Sequence, residues 1–116
     1  MAFHSISMLS KAGQLEVALL FLDQLNTCEE RLNEYLENQN DDRIKLLAHS
    51  LRGSSLAFDL PGLAAAWGNL ETAVTNRETG LRQLSEEIFQ LTLPARRELE
   101  GFVDRLRESG SEGTVP

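Results

Sequence analysis

The 116-residue chain holds one cysteine, three prolines and few aromatic side chains, 6% of the whole. A lone Cys28 cannot close an internal disulfide, so nothing points to an oxidising compartment. Basic residues are outnumbered: 11 against 18 acids, a net charge of -7. That excludes the global basic footprint of a nucleic-acid binder. The longest unbroken apolar run, Val17 to Leu22, is far short of the roughly 20 residues of a membrane span. The opening Met1-Ala-Phe-His-Ser lacks the basic start and apolar stretch of a signal peptide. The expectation is a cytoplasmic protein. There is no Gly-rich phosphate loop, which argues against nucleotide binding and an intrinsic kinase activity.

What remains is leucine-rich and helical in period, with little strand-like alternation. Apolar residues make up 41% and charged residues 25%, ordinary for a globular chain. A chain of this length buries roughly two-thirds of its unfolded surface, enough for one core. Residues 1–10 read as a lead-in with a short helix over one end. A first helix runs from about Ala12 to Asn38, with Leu15, Leu19, Leu22, Leu25, Leu32 and Leu36 as its stripe. Asn40 or Asp41 is the candidate N-cap of a second helix, Asp42 to Phe58, lined by Ile44, Leu47, Ala48, Leu51, Ser55 and Phe58. Pro61 restarts the chain in a third helix to Val74, with Leu63, Trp67, Leu70 and Val74 inward.

A fourth helix, Glu78 to Glu108, carries Leu81, Leu84, Ile88, Leu91, Ala95, Leu99, Phe102 and Leu106 in unbroken phase. Pro94 inside that run predicts a kinked but single helix. Residues 109–116 read as a disordered tail. Four amphipathic helices with short connections predict an all-α, antiparallel up-down four-helix bundle over residues 1–108. Trp67 and Cys28 read as apolar core residues.

The second helix carries more than packing requires. On a helical wheel His49 points about 150° away from the core face. Gly53 lies one turn on, although a mid-helix glycine costs about 0.5–1 kcal/mol relative to alanine. Leu46 and Leu56 are apolar on the same outer face, where a merely solvated surface would be polar. Lys45 and Arg52 form a small cationic flank. The pattern predicts a docking face: glycine gives a partner room, the leucines give apolar contact, and the cations favour an anion near the ring. A neutral imidazole nitrogen is a competent nucleophile toward a phosphoryl group.

Other chemistry is poorly supported. His4 has no ligand spacing to His49, and a Glu-x-x-His metal pair would need glutamate where Leu46 stands. Ser50, Ser54 and Ser55 lack a nucleophile-elbow turn or an orienting carboxylate, which argues against a hydrolase.

The segment Leu46-Leu-Ala-His-Ser-Leu-Arg-Gly-Ser-Ser55 resembles the signature of the histidine-containing phosphotransfer (HPt) domain family. Leu63, Ala64 and the Leu70-Glu71 pair extend the likeness into the third helix, and it covers about residues 15–106. The resemblance implies a phosphocarrier without kinase activity of its own. His49 would take a phosphoryl group at Nε2 from the aspartate of one receiver domain and deliver it to another. Arg52 would neutralise the phosphoryl oxygens, and Gly53 would admit the receiver. Leu46, Leu56 and Lys45 would serve docking.

The implied partners are the receiver domains of a hybrid sensor kinase and of a response regulator, with Mg2+ on the receiver and none on this chain. A monomer without nucleic-acid or membrane partners is expected. The chain departs from the pattern at Asp59, where glycine is frequent, and at Glu71, where several members have glutamine. A carboxylate near a phosphoryl group is unfavourable, so Glu71 is expected to face solvent or pair with a cation. The competing readings are a non-catalytic module that docks and sequesters or modulates a response regulator, and a helical protein whose Leu56 patch is an oligomer interface.

Overall fold

The computed structural model describes residues 6–112. Four helices follow one another: α1 Lys11–Glu37, α2 Asp41–Ala57, α3 Pro61–Thr75 and α4 Leu81–Glu112. The Ser10 side chain caps α1 by accepting from the Gly13 N–H at 3.0 Å. Asn40 caps α2 by accepting from the Arg43 N–H at 3.3 Å. Pro61 opens α3, where its missing donor costs nothing.

The first three helices end alike. After α1 the Gln39 N–H donates to the Leu36 carbonyl and the Asn40 N–H to the Tyr35 carbonyl. The same pair of bonds recurs after α2 (Asp59 to Leu56, Leu60 to Ser55) and after α3 (Arg77 to Val74, Glu78 to Ala73). This is the Schellman closure, which sets its pivot residue in the left-handed region. The pivots are Gln39, Asp59 and Arg77, with φ of 51°, 54° and 55°. Asp59 thus holds, as a non-glycine residue, the turn that a glycine would hold without strain.

Cross-helix contacts fix the topology. Arg82 of α4 donates to the Asn33 side chain of α1 at 2.9 Å, and Thr92 reaches back to Cys28. Phe58 at the end of α2 stacks on Phe21 of α1 with ring centroids 5.0 Å apart. His49 meets Glu71 of α3, while Arg52 lies beside Gly68. Each neighbouring pair is therefore antiparallel. α1 packs on α2 and α4, and α3 packs on the same two, closing an up-down bundle 59 Å long.

The core matches the expected lines on α2 and α3 and rotates on the outer two helices. Ile44, Ala48, Leu51, Ser55 and Phe58 are buried, as are Leu63, Trp67, Leu70 and Val74, with Leu47 at the margin. On α1 the buried line is Ala18, Phe21, Leu25, Cys28 and Leu32. Leu25 and Leu32 were in the expected stripe, but Leu19 is 37% exposed and Leu15, Leu22 and Leu36 sit at the edge. Residues 17–22 are all apolar, so the period is ambiguous there. The Phe21–Phe58 stack selects the face.

On α4 the inward line is Ser85, Ile88, Thr92, Ala95, Leu99 and Val103. Leu91 is 39% exposed, and Leu81, Leu84 and Phe102 lie at the margin. The buried Ser85 and Thr92 hydroxyls donate to the carbonyls one turn back, Leu81 and Ile88, at 2.8 Å each. That satisfaction lets polar residues occupy core positions.

The lead-in, read as a short helix, is described only from Ile6 onward. Its described part is a turn in which the Leu9 N–H donates to the Ile6 carbonyl at 3.0 Å, with Ile6 buried in the core. Residues 1–5, His4 included, lie outside the described residues. α4 begins at Leu81, after Gly80 with φ 84°, rather than at Glu78. It passes through Pro94 as one helix and continues to Glu112, past the expected end at Glu108. Extending a formed helix adds one hydrogen bond per residue fixed, so propagation carries it into the polar segment. Residues 113–116 of the expected tail lie outside the described residues.

A left-handed L-residue costs about 1–2 kcal/mol, partly offset by the entropy of a glycine in the unfolded chain. Arg77→Gly is therefore expected to stabilise the bundle by about 0.5–1 kcal/mol, measured by urea denaturation. A loss of stability would show that Arg77 makes a compensating contact.

Candidate functional site

Burial of Ile44, Ala48, Leu51 and Ser55 fixes the rotation of α2. It turns His49 outward, with 70% of its side chain exposed. The ring is nonetheless held. Its Nδ1 lies 3.1 Å from Oε2 of Glu71 on α3. An ionised carboxylate only accepts, so the hydrogen of this pair belongs to Nδ1. In the neutral ring Nε2 then keeps its lone pair on the side away from Glu71.

Arg52 follows one turn later on α2. Its Nη1 lies 3.9 Å from Oε1 of the same Glu71. Its stem lies along α3 at Gly68, where an added Cβ would sit 3.5 Å from Arg52 Cδ and Nε. About half of Arg52 is exposed, so the pair is weak and the guanidinium is free to exchange partners. Glu71 thus does both things at once: it pairs with a cation, as expected, and it also touches the ring, which was not expected. The period of α3 gave the signal only in part. Glu71 follows the buried Leu70 and is itself only 20% exposed, at the seam with α2.

Gly53 faces open space, with nothing within 4 Å of where its Cβ would be. It borders a hollow between α1 and α2 whose walls include Val17, Leu20, Ala57 and Phe58. Leu46 and Leu56 are both exposed, at 62% and 53%. They lie on opposite flanks of α2. Leu46 lines a depression toward α1, and Leu56 lines the groove toward α3 together with Lys45 and Arg52.

Gln24 of α1 was not singled out in the sequence. Its Nε2 donates to Ser50 Oγ at 3.1 Å, while Ser54 Oγ donates to its Oε1 at 2.9 Å. This bridge ties the α2 residues next to His49 and Gly53 to α1. Its only sequence trace is a pair of serines one turn apart.

Among the described residues no three His, Cys, Asp or Glu side chains are grouped to hold a metal ion. Cys28 is buried, and burial pushes its thiol up to about 11, so it stays protonated. No described helix is long and apolar enough to cross a membrane.

The family model of the Hpt domain matches residues 16–109. The chain belongs to the Hpt domain family. The Hpt match supports a histidine phosphotransfer role in two-component signalling, in which Hpt domains interact with receiver domains. Comparison with curated proteins and with solved structures gave no match.

The open space at Gly53 makes stability and partner access separable. Gly53→Gln is expected to stabilise α2 by about 0.5–1 kcal/mol through helix propensity. The same variant is expected to slow phosphoryl exchange with a receiver, because the new side chain stands on the face beside His49. Thermal melts and transfer rates on one preparation check both. Unchanged transfer would remove the role given to Gly53.

Proposed function

We propose that this Hpt protein relays a phosphoryl group between receiver-domain aspartates through His49. The observation that carries the reading is an exposed ring held at Nδ1 by Glu71, so that Nε2 presents its lone pair to a partner. In the loading step Nε2 attacks the phosphorus of an aspartyl phosphate. The new N–P bond forms as the P–O bond breaks, and the electron pair leaves with the aspartate carboxylate. Arg52 moves from Glu71 to the phosphoryl oxygens and offsets their charge. Gly53 lets the receiver surface come close.

Phosphoryl transfer rests on positioning and charge neutralisation, so this sparse site suffices. The Mg2+ that assists belongs to the receiver, and no group on this chain is assigned to hold it. Leu46 and Leu56 grip the receiver from the two flanks of α2, with Lys45 adding charge on the α3 side. The donor is the receiver of a hybrid sensor kinase and the acceptor that of a response regulator. The protein works as a cytoplasmic monomer, which leaves the His49 face open.

The test is intact mass after incubation with a set of phosphorylated receiver domains, with His49→Gln alongside. The expected result is one acid-labile phosphoryl group on the wild type and none on the variant, with both folded by circular dichroism. Labelling at another residue would overturn the assignment of His49. Receiver binding without labelling, unaffected by His49→Gln, would establish a non-catalytic docking module.

A further inference from the structure

If His49 carries phosphate as proposed above, its contact with Glu71 constrains the ring in more than one state. At 3.1 Å from a carboxylate oxygen, Nδ1 must hold a proton or turn a lone pair toward a negative charge. Phosphorylation uses the lone pair of Nε2. A neutral phosphoimidazole would then leave Nδ1 bare against Glu71. We infer that Glu71, as a positioning residue, keeps the proton on Nδ1 in both states. The loaded ring is then a phosphoimidazolium, and phosphate enters and leaves with no proton transfer at the ring.

The steps balance on that basis. Loading forms the Nε2–P bond and leaves the ring positive, facing Glu71. Unloading forms a P–O bond to the acceptor carboxylate as the P–N bond breaks. The electron pair returns to Nε2, and a neutral imidazole departs with Nδ1–H intact. Without that proton the ring would have to leave as an imidazolate, a much poorer leaving group. Glu71 therefore holds the loaded state in its transferable form.

The surrounding charges bear on this balance. α2 packs on α1 and α3. On α2 itself Arg52 and Lys45 lie one turn to either side of His49, and both oppose a positive ring. α1 brings the uncharged Gln24 to Ser50 and Ser54, Asp23 to the hollow at Gly53, and Arg31 with Tyr35 to the depression at Leu46 and Ser50, where Arg31 also opposes a positive ring. From α3 comes Glu71, the carboxylate in contact with the ring and only 20% exposed, hence less screened than a surface acid. When Arg52 swings to the phosphoryl group, Glu71 is left to the ring alone.

The experiment loads 15N-histidine-labelled protein with phosphoramidate and follows the ring by NMR from neutral to mildly alkaline pH. Nδ1 of the loaded wild type is expected to stay protonated across that range. Glu71→Gln can still accept from Nδ1–H, but its amide can also turn to donate to a bare Nδ1. In that variant the loaded ring is expected to lose its proton at lower pH. Its transfer to a receiver is expected to slow about tenfold at the alkaline end, the effect of losing an adjacent opposite charge.

A purely structural role would lower transfer equally at every pH and leave the profile in place. An unprotonated Nδ1 in the loaded wild type at neutral pH, or superimposable pH profiles, would overturn the inference while leaving the phosphocarrier reading intact. Failure of the wild type to load from either phosphoramidate or a phosphorylated receiver would overturn both.

Discussion

The rotation of α2 about its own axis is the constraint on which the site depends. Ile44, Ala48, Leu51 and Ser55 bury one line of that helix. With that line inward, His49, Arg52 and Gly53 have no choice but to face out or sideways. Two further contacts lock the setting: Gln24 bridges Ser50 and Ser54 from α1, and Glu71 takes His49 Nδ1 from α3. A small rotation would bury the ring or part it from Glu71. The proposed chemistry therefore rests on packing chosen several residues away from the His49 ring.

The site combines a closely held part and a loosely held part. The imidazole is oriented by a partly buried carboxylate. The guanidinium is held by a long, half-exposed ion pair of little strength. Such a division suits group transfer, where the nucleophile must be aimed in advance and the counter-charge must follow the phosphoryl group. Glu71 links the two, since its two oxygens face the two groups.

Most of the fold was legible because period and punctuation agreed. Asn40, Pro61 and the turn residues around position 77 bound helices whose inward lines on α2 and α3 read directly. His49 could be placed outward for the same reason. The outer helices were harder. Where residues 17–22 are all apolar, no period distinguishes Leu19 from Phe21, and only the stack on Phe58 decides. On α4 the leucine count favoured Leu91, yet Thr92 is inward because its hydroxyl is satisfied within the helix. Glu71 and Gln24 act across 22 to 30 residues of sequence, beyond the reach of any local pattern.

The helices are unequal in length, and that has a practical side. α1 and α4 have 27 and 32 residues against 17 and 15 for α2 and α3. Phe58 meets α1 at Phe21 and Val17 still walls the hollow beside Gly53, so only the first turns of α1, Lys11 to Glu16, run on past the end of α2, accompanied by the last turns of α4. At about 1.5 Å per residue this stalk stands well clear of His49. The start of α1 and the end of α4 share that end of the bundle. A surface anchor, a dye or a fused domain attached there would leave the histidine face unshaded.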